Sequence, residues 1–412
     1  MISSNHSSDD LELSENKSNS FSFNFHSFKR LMSNIFPTIH SPKFELDEVD
    51  AVAILFLTAL GMITRIFRIQ YPQSPVFDEG YFLNFTNNYF RKQYFYDPNP
   101  PLGKLILSGA AHLAGYKGEF NSNSVNYTSM IYVALRITPA FFGGLCVPLS
   151  YLAMRSIQAS HFTSMVTSIL FMSDLLLIAE ARHFLSDGFL HFFTCLSIFS
   201  IFLYEQYQSI FMFIFEGICL GCVAATKYTS GGVILVAIFR QFCFLKDNKF
   251  VYCLIRSLLL ISIIVIVHLM CFTTHLTILP FLPDDSKQDQ QTMFAPPAVQ
   301  EGLIDRLNAD WDKRALAPSM IIRVSSLVKS MIKSSLKHNV KRPFSCSWVP
   351  FYEKDDKHIC CLGNVFVWYP VFFGIFWNLF VTLIRCNFRS ISCSFLIGYL
   401  LSLVPFMFVN RT

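Results

Sequence analysis

The sequence predicts an all-α polytopic membrane protein, and three observations carry that prediction. Nine apolar runs recur along the chain, each close to the ~20 residues a helix needs to cross a bilayer. Only 15% of the residues are charged while 52% are hydrophobic, with 45 Phe among them; a soluble domain carries about 25% charged residues. The net charge is a modest +5, and the Lys and Arg form no stripe of the kind that binds nucleic acid. They fall in the short connections between apolar runs, where they act as topology signals.

Residues 1–47 are rich in Ser and Asn ("SSNHSSDD", "ENKSNSFS") and lack the apolar core of a cleavable signal peptide. They are expected to form a disordered cytosolic tail. The predicted spans follow near 51–69, 131–153, 162–179, 184–203, 209–226, 228–245, 251–273 and 366–384, with a ninth at 391–409. Two long polar regions, 70–130 and 274–365, interrupt them. The expected division is therefore a transmembrane core at 48–273 with its first large loop at 70–130, a second large loop at 274–365, and C-terminal spans in 366–412. Lys29, Arg30 and Lys43 place the N-terminus in the cytosol. Alternation then puts Arg155, "KDNK" at 246–249 and "RCNFR" at 385–389 on the same side, and both large loops on the other.

That far side collects the residues that carry chemistry. Asp78 and Glu79 are adjacent carboxylates in an aromatic loop, flanked by Phe77, Tyr81 and Phe82. They read either as solvated charges at a helix start or as a general base with an acceptor-orienting partner, since repulsion between neighbours raises one pKa. "NPPLGK" at 99–104 fixes an extended turn before a helix. It is a rigid connector or, with Asp97, Pro100, Pro101 and Lys104, a buttress for the acidic loop. Arg136, Arg182 and Lys227 are cations at the far membrane surface. They anchor helices in the headgroups or clamp a phosphate. Asp187 stands beside them at the start of the fourth span.

His183, Asp187 and His191 recur at helical spacing, but three ligands on one helix do not converge on one ion, and no metal is expected. Asn84-Phe-Thr86 and Asn126-Tyr-Thr128 are glycosylation sequons. The twelve Cys show no zinc-finger spacing; Cys195, Cys219 and Cys222 read as small hydrophobes, and Cys346, Cys360 and Cys361 could pair if their loop is in an oxidising compartment.

The stretch "VFDEGYFLNFTNNYFRKQYFYDPNPPLGKLILSGAAHLAGYKGEF" resembles the first lumenal loop of the eukaryotic protein O-mannosyltransferases. The matching pieces are Phe77-Asp78-Glu79, Tyr94 to Asp97, Pro100 to Lys104 and Ala114 to Phe120. "RITPAFFGGLCVP", "ARHFLSDGFLHFF", "GCVAATKYTSG", "HLTILPF", "APPAVQEGL" and "CCLGNVFVWY" are similar to later family segments, in order. The resemblance implies a GT-C-type glycosyltransferase bundle in the endoplasmic reticulum membrane with a lumenal active site. It implies transfer of mannose from dolichyl phosphate mannose to Ser or Thr hydroxyls of acceptor proteins, with inversion. Asp78 would be the base or the ligand of the acceptor hydroxyl, and Glu79 would assist with the acceptor. Arg136, Arg182 and Lys227 would hold the acidic loop and the donor phosphate. No cofactor or metal is implied beyond the lipid donor. A homo- or heterodimer with another family member is.

Asn99 stands where the family has His, and Gly80-Tyr-Phe-Leu replaces its continuation after the acidic pair. The 274–365 loop is too short for the family's β-trefoil MIR module. The chain stops at "FMFVNRT", where the family continues, so a truncated form is expected. Two other readings remain at this point. One is a catalytically inactive subunit of a dimer. The other is a transporter, which would show inverted repeats, and no internal repeat is present.

Overall fold

The computed structural model describes residues 32–36, 44–76, 78–118, 127, 129–243, 249–283, 295–305, 317–337, 351–354, 357–360, 365–385 and 390–408. After a helical turn at 32–35, fourteen helices follow one another among them. They are α1 (Glu48–Ile66), α2 (Glu79–Arg91), α3 (Leu102–Leu113), α4 (Ile131–Ser156), α5 (His161–Met172), α6 (Leu175–Arg182), α7 (Asp187–Tyr207), α8 (Ile210–Ala224), α9 (Gly231–Cys243), α10 (Phe250–Ile278), the single turn α11 (Pro297–Gln300), α12 (Met320–Lys337), α13 (Val365–Arg385) and α14 (Ile391–Phe408). A two-stranded antiparallel hairpin, β1 (Phe351–Lys354) and β2 (Lys357–Cys360), departs from an all-α chain.

Five helices among the described residues are long and apolar enough to cross a membrane, or six if the bent pair α5–α6 counts as one span. The expected nine is therefore reduced. The run at 162–179 breaks by 58°. Asp174 causes the break: its side chain accepts from Leu176 and Leu177 N–H and starts a new helix. The runs at 209–226 and 228–245 give helices of 15 and 13 residues, short of a full crossing. In the run at 184–203 the helix itself begins only at Asp187. The described part of the 70–130 loop holds α2 and α3.

Helix α4 is the axis of the bundle, with α1, α5 and α7 packed around it. Helices α7, α8 and α10 continue the layer. Gly217 and Gly221 let α8 close on α10, because a Cβ at either would stand 2.7 or 2.6 Å from Ile263 or Val267. This small-xxx-small contact suits helices that associate in lipid without a hydrophobic driving force.

Among the described residues, buried ion pairs gather at the two ends of the bundle, while Glu216 of α8 is buried between them, beside Gly217, which packs on Ile263 near the middle of α10. At the proximal end, Asp50 of α1 takes Arg155 Nε at 2.7 Å and Tyr151 OH at 2.8 Å, while Asp47 and Asp50 form the capping box that starts α1. Arg240 pairs with Glu205 at the same end. At the distal end Arg136 pairs with Glu79. Arg136 and Arg155 sit nineteen residues apart on α4, roughly 28 Å along the helix axis, close to the ~30 Å of a hydrocarbon core. The two pairs mark the two membrane faces.

Candidate active site

Helix α2 begins at Glu79, and Asp78 is the residue before its first turn, with no side-chain capping bond of its own. Asp78 is exposed, whereas Glu79 has no exposed surface. One step of chain thus sends two neighbouring carboxylates into opposite environments.

Glu79 is tied down from four directions. Arg136 donates Nε to Oε1 at 2.7 Å and Nη2 to Oε2 at 2.6 Å. Backbone N–H groups of Val76 and Phe184 each donate at 2.8 Å, and Tyr127 OH reaches Oε2 at 3.3 Å. His183 Nδ1 lies 3.7 Å from Oε1, too far for a direct hydrogen bond. Burial alone would push this carboxyl up, but His183 and Arg136 beside it hold it at about 2. The remaining donors of Arg136 go to the carbonyls of Ile69, Pro72 and Ser74. All five guanidinium N–H donors are then engaged, and Tyr127 and Tyr132 stack on each other with the guanidinium over both rings. The sequence groups Arg136 with the phosphate-binding cations and Glu79 with the acceptor. In this structure all five donors of Arg136 are taken by Glu79 and loop carbonyls and it is 1% exposed, and Glu79 has no exposed surface.

The "NPPLGK" segment closes on itself. Lys104 Nζ donates to Asp97 Oδ2 and to the carbonyls of Asn99 at 2.8 Å and Pro100 at 3.1 Å, which uses its three protons. Pro100 and Pro101 are buried ahead of α3. Gly103 sits where a Cβ would come within 2.6 Å of Ser186 Cβ, and Leu102 N–H donates to Ala225 O at 2.9 Å. Three distant segments, 100–104, 182–187 and 225–227, therefore meet at one point.

Above that junction Lys227 donates to Asp187 Oδ1 at 2.6 Å, with both side chains partly open to solvent. Asp78 lies within electrostatic reach of Lys227, Asp187 and Asp97. Although one side of Asp78 faces solvent, the surrounding protein desolvates it enough to push its carboxyl above the usual range. Lys227 pulls it back, and Asp187 and Asp97 push it further up. Arg182 stands slightly apart, donating Nη1 to Arg65 O at 3.0 Å at the C-terminal end of α1, where a cation meets the helix dipole.

His183, Asp187 and His191 face different partners: Glu79, Lys227 and Glu180, the last at 2.7 Å. They do not converge. The sequon at Asn84 lies inside α2, with Thr86 1% exposed and its hydroxyl donated to Phe82 O, so it gives no surface-loop signal. Phe77 and the sequon at Asn126 lie outside the described residues, as do the side chains of Cys346, Cys360 and Cys361. Sequence reasoning missed the Tyr127–Tyr132 sandwich and the Tyr89 OH to His275 Nδ1 contact at 2.7 Å that ties α2 to α10. Tyr132 had a signal, one helical turn before Arg136 on the same face.

A groove of about 250 Å³ starts at Thr229, two residues beyond Lys227, and runs between α7, α9 and α14 past Ile198, Val236 and Phe395. Its walls are mainly apolar.

Residues 55–282 match the family described as dolichyl-phosphate-mannose-protein mannosyltransferase. Protein O-mannosyl-transferase 1 of Danio rerio is 31% identical over 277 residues, 62% of this chain and 38% of that protein. Dolichyl-phosphate-mannose–protein mannosyltransferase 3 of Saccharomyces cerevisiae is 31% identical over 244 residues, 55% of this chain and 32% of that one. The chain thus spans less than two-fifths of the length of these relatives. In fold it is similar to the S. cerevisiae protein O-mannosyltransferase Pmt1-Pmt2 complex bound to the sugar donor, with a TM-score of 0.56, 24% identity, and coverage of 67% of this chain and 38% of that one. The archaeal oligosaccharyltransferase AglB of Archaeoglobus fulgidus gives a TM-score of 0.50 at 11% identity, covering 88% and 48%.

Proposed function

This chain belongs to the dolichyl-phosphate-mannose-protein mannosyltransferase family, and on that premise we propose that it transfers mannose from dolichyl phosphate mannose to Ser or Thr hydroxyls at the lumenal face of the endoplasmic reticulum membrane. The distal end is then lumenal. Asp78 takes the proton of the acceptor hydroxyl as its oxygen attacks C1 of the mannose. The bond from C1 to the phosphate oxygen breaks, dolichyl phosphate leaves with the electron pair on that oxygen, and the anomeric centre inverts. Lys227 and Arg182 stabilise the phosphate charge that grows in that step. Glu79 and Arg136 are positioning residues that set the height of Asp78, and Lys104 with Asp97 holds the turn beneath it. The apolar groove beside Lys227 suits an isoprenoid chain whose phosphate rests at headgroup level.

The observation that carries this reading is the placement of one exposed, desolvated carboxylate, Asp78, within reach of the Lys227–Asp187 pair at the membrane surface. An enzyme of this kind needs its charges at one face. The gathering of Asp78, Lys227, Asp187 and Asp97 at one end supports the enzyme over a transporter, whose binding site would lie near the midplane.

The test is transfer itself. Microsomes expressing the chain with a family partner should move labelled mannose from dolichyl phosphate mannose to a Ser/Thr peptide, in a linkage released by α-mannosidase. Label that never reaches the peptide would favour the inactive-subunit reading.

A further inference from the structure

Helix α12, Met320–Lys337, carries no acidic residue; its charges are Arg323, Lys329, Lys333 and Lys337. One face of it is used within the protein. Val324, Leu327 and Met331 are buried in a cluster with Tyr94 and with Phe272 and Leu276 of α10. Next to that face runs a second apolar strip of Ile321, Val328 and Ile332, spaced seven and four residues apart and so stacked on one side of the helix. The two ends of this strip have no cover, Ile321 being 81% and Ile332 43% exposed, while Val328 between them is partly buried against the same cluster. Beyond it come Lys329 and Lys333, both exposed and one turn apart.

Helix α10 sets the level of α12. Arg256, near the start of α10, donates Nη1 to Ile35 O at 2.9 Å and belongs to the proximal end. Leu276 lies twenty residues further on, roughly 30 Å along the axis, which is about one hydrocarbon core. Helix α12 therefore packs where acyl chains give way to headgroups, beside a face of α10 whose Met270 and Ile278 are themselves uncovered. An apolar strip bordered by ammonium groups at that level matches one leaflet, with acyl chains against the Ile residues and lipid phosphates against the Lys residues.

We propose that α12 is an interfacial helix whose Ile321–Val328–Ile332 strip enters the distal leaflet while Lys329 and Lys333 bind the phosphates of anionic phospholipids. Because α12 shares its buried cluster with Tyr94 of the first loop, it also fixes the height of that loop against the bilayer. The inference does not depend on the transfer reaction.

The test uses the full chain in nanodiscs of phosphatidylcholine and phosphatidylglycerol. A Trp is placed at the strip (Ile332→Trp) or on the polar flank (Ser326→Trp), and each is read as the increment over the parent fluorescence. Lipids brominated near the headgroup end of the acyl chain should quench the Ile332→Trp increment and not that of Ser326→Trp, and aqueous iodide should spare Ile332→Trp. Quenching of Ile332→Trp by iodide alone, by neither reagent (a covering protein surface or second copy), or equal bromolipid quenching at both positions overturns the proposal. In K329E/K333E the ratio of phosphatidylglycerol to phosphatidylcholine retained on purification should fall by about fivefold per lysine. An unchanged ratio in a monodisperse, helical variant overturns the headgroup contact.

Discussion

Glu79 and Arg136 meet in a two-point ionic contact, Nε to Oε1 at 2.7 Å and Nη2 to Oε2 at 2.6 Å, with Glu79 fully buried and Arg136 1% exposed. The contact joins the first turn of α2 to the first turns of α4, fifty-seven residues later. Its effect is to fix the start of α2, and with it the neighbouring Asp78.

A planar fork is what this contact requires, and an ammonium cannot reproduce it. Arg136→Lys keeps the charge but leaves loop carbonyls at Ile69, Pro72 and Ser74 without donors. Removing one partner of a buried pair costs about 3–5 kcal/mol. Glu79→Gln and Arg136→Ala should each lower the thermal unfolding midpoint clearly, and the double variant should lower it by less than the sum. Additive losses would show that the two residues do not act as a unit.

Stability should respond to acid through the same pair. The folded-state pKa of Glu79 is depressed to about 2, below the ~4.3 of an unfolded carboxyl. Its contribution is therefore complete above that unfolded value and is lost as pH falls toward 2, on the order of 3 kcal/mol in total. Unfolding free energy measured between about pH 5 and 2 should fall with a component that Glu79→Gln lacks.

Activity should carry a different pH signature. The Asp78 carboxyl is raised by desolvation, with Lys227 opposing. If Asp78 is the base, transfer falls as acid protonates it, at a pH above the usual carboxylate range. Lys227→Gln removes the opposing charge, so the acid limb should move to still higher pH. A limb that stays in place in Lys227→Gln would separate the two residues.

Backbone approach at Gly103 gives a steric prediction. A Cβ there would stand 2.6 Å from Ser186 Cβ, so Gly103→Ala must push the start of α3 away from the start of α7. Transfer should drop at least tenfold, about 1.4 kcal/mol of lost positioning, and Ser186→Gly should restore part of it. Full activity in Gly103→Ala would mean the junction of 100–104 with 182–187 does not matter.

Much of the fold was legible because a bilayer writes its demand into composition. Helices at 48–66, 131–156, 187–207 and 250–278 follow directly from long apolar runs. What composition hides is a break. Asp174 lies inside an apolar stretch, and only its side-chain bonds to Leu176 and Leu177 reveal a new helix start. The candidate site residues were legible in the sequence only as charges, in the same uneven way. Asp78, Lys227 and Asp187 stood out as charges at a membrane edge, and the structure places them within electrostatic reach of one another. Their division of labour with Glu79 and Arg136 was not legible, because adjacent letters in "FDE" do not say which carboxylate turns inward. Burial decides that, and burial is set by Arg136, which is distant in sequence.

The most direct test of the central claim separates chemistry from donor binding at Asp78. Protein purified with a co-expressed family member should bind dolichyl phosphate mannose equally well as wild type and as Asp78→Asn, with matching thermal midpoints, while single-turnover transfer to a Ser/Thr peptide is lost only in the variant. Transfer by Asp78→Asn at the wild-type rate would contradict the account.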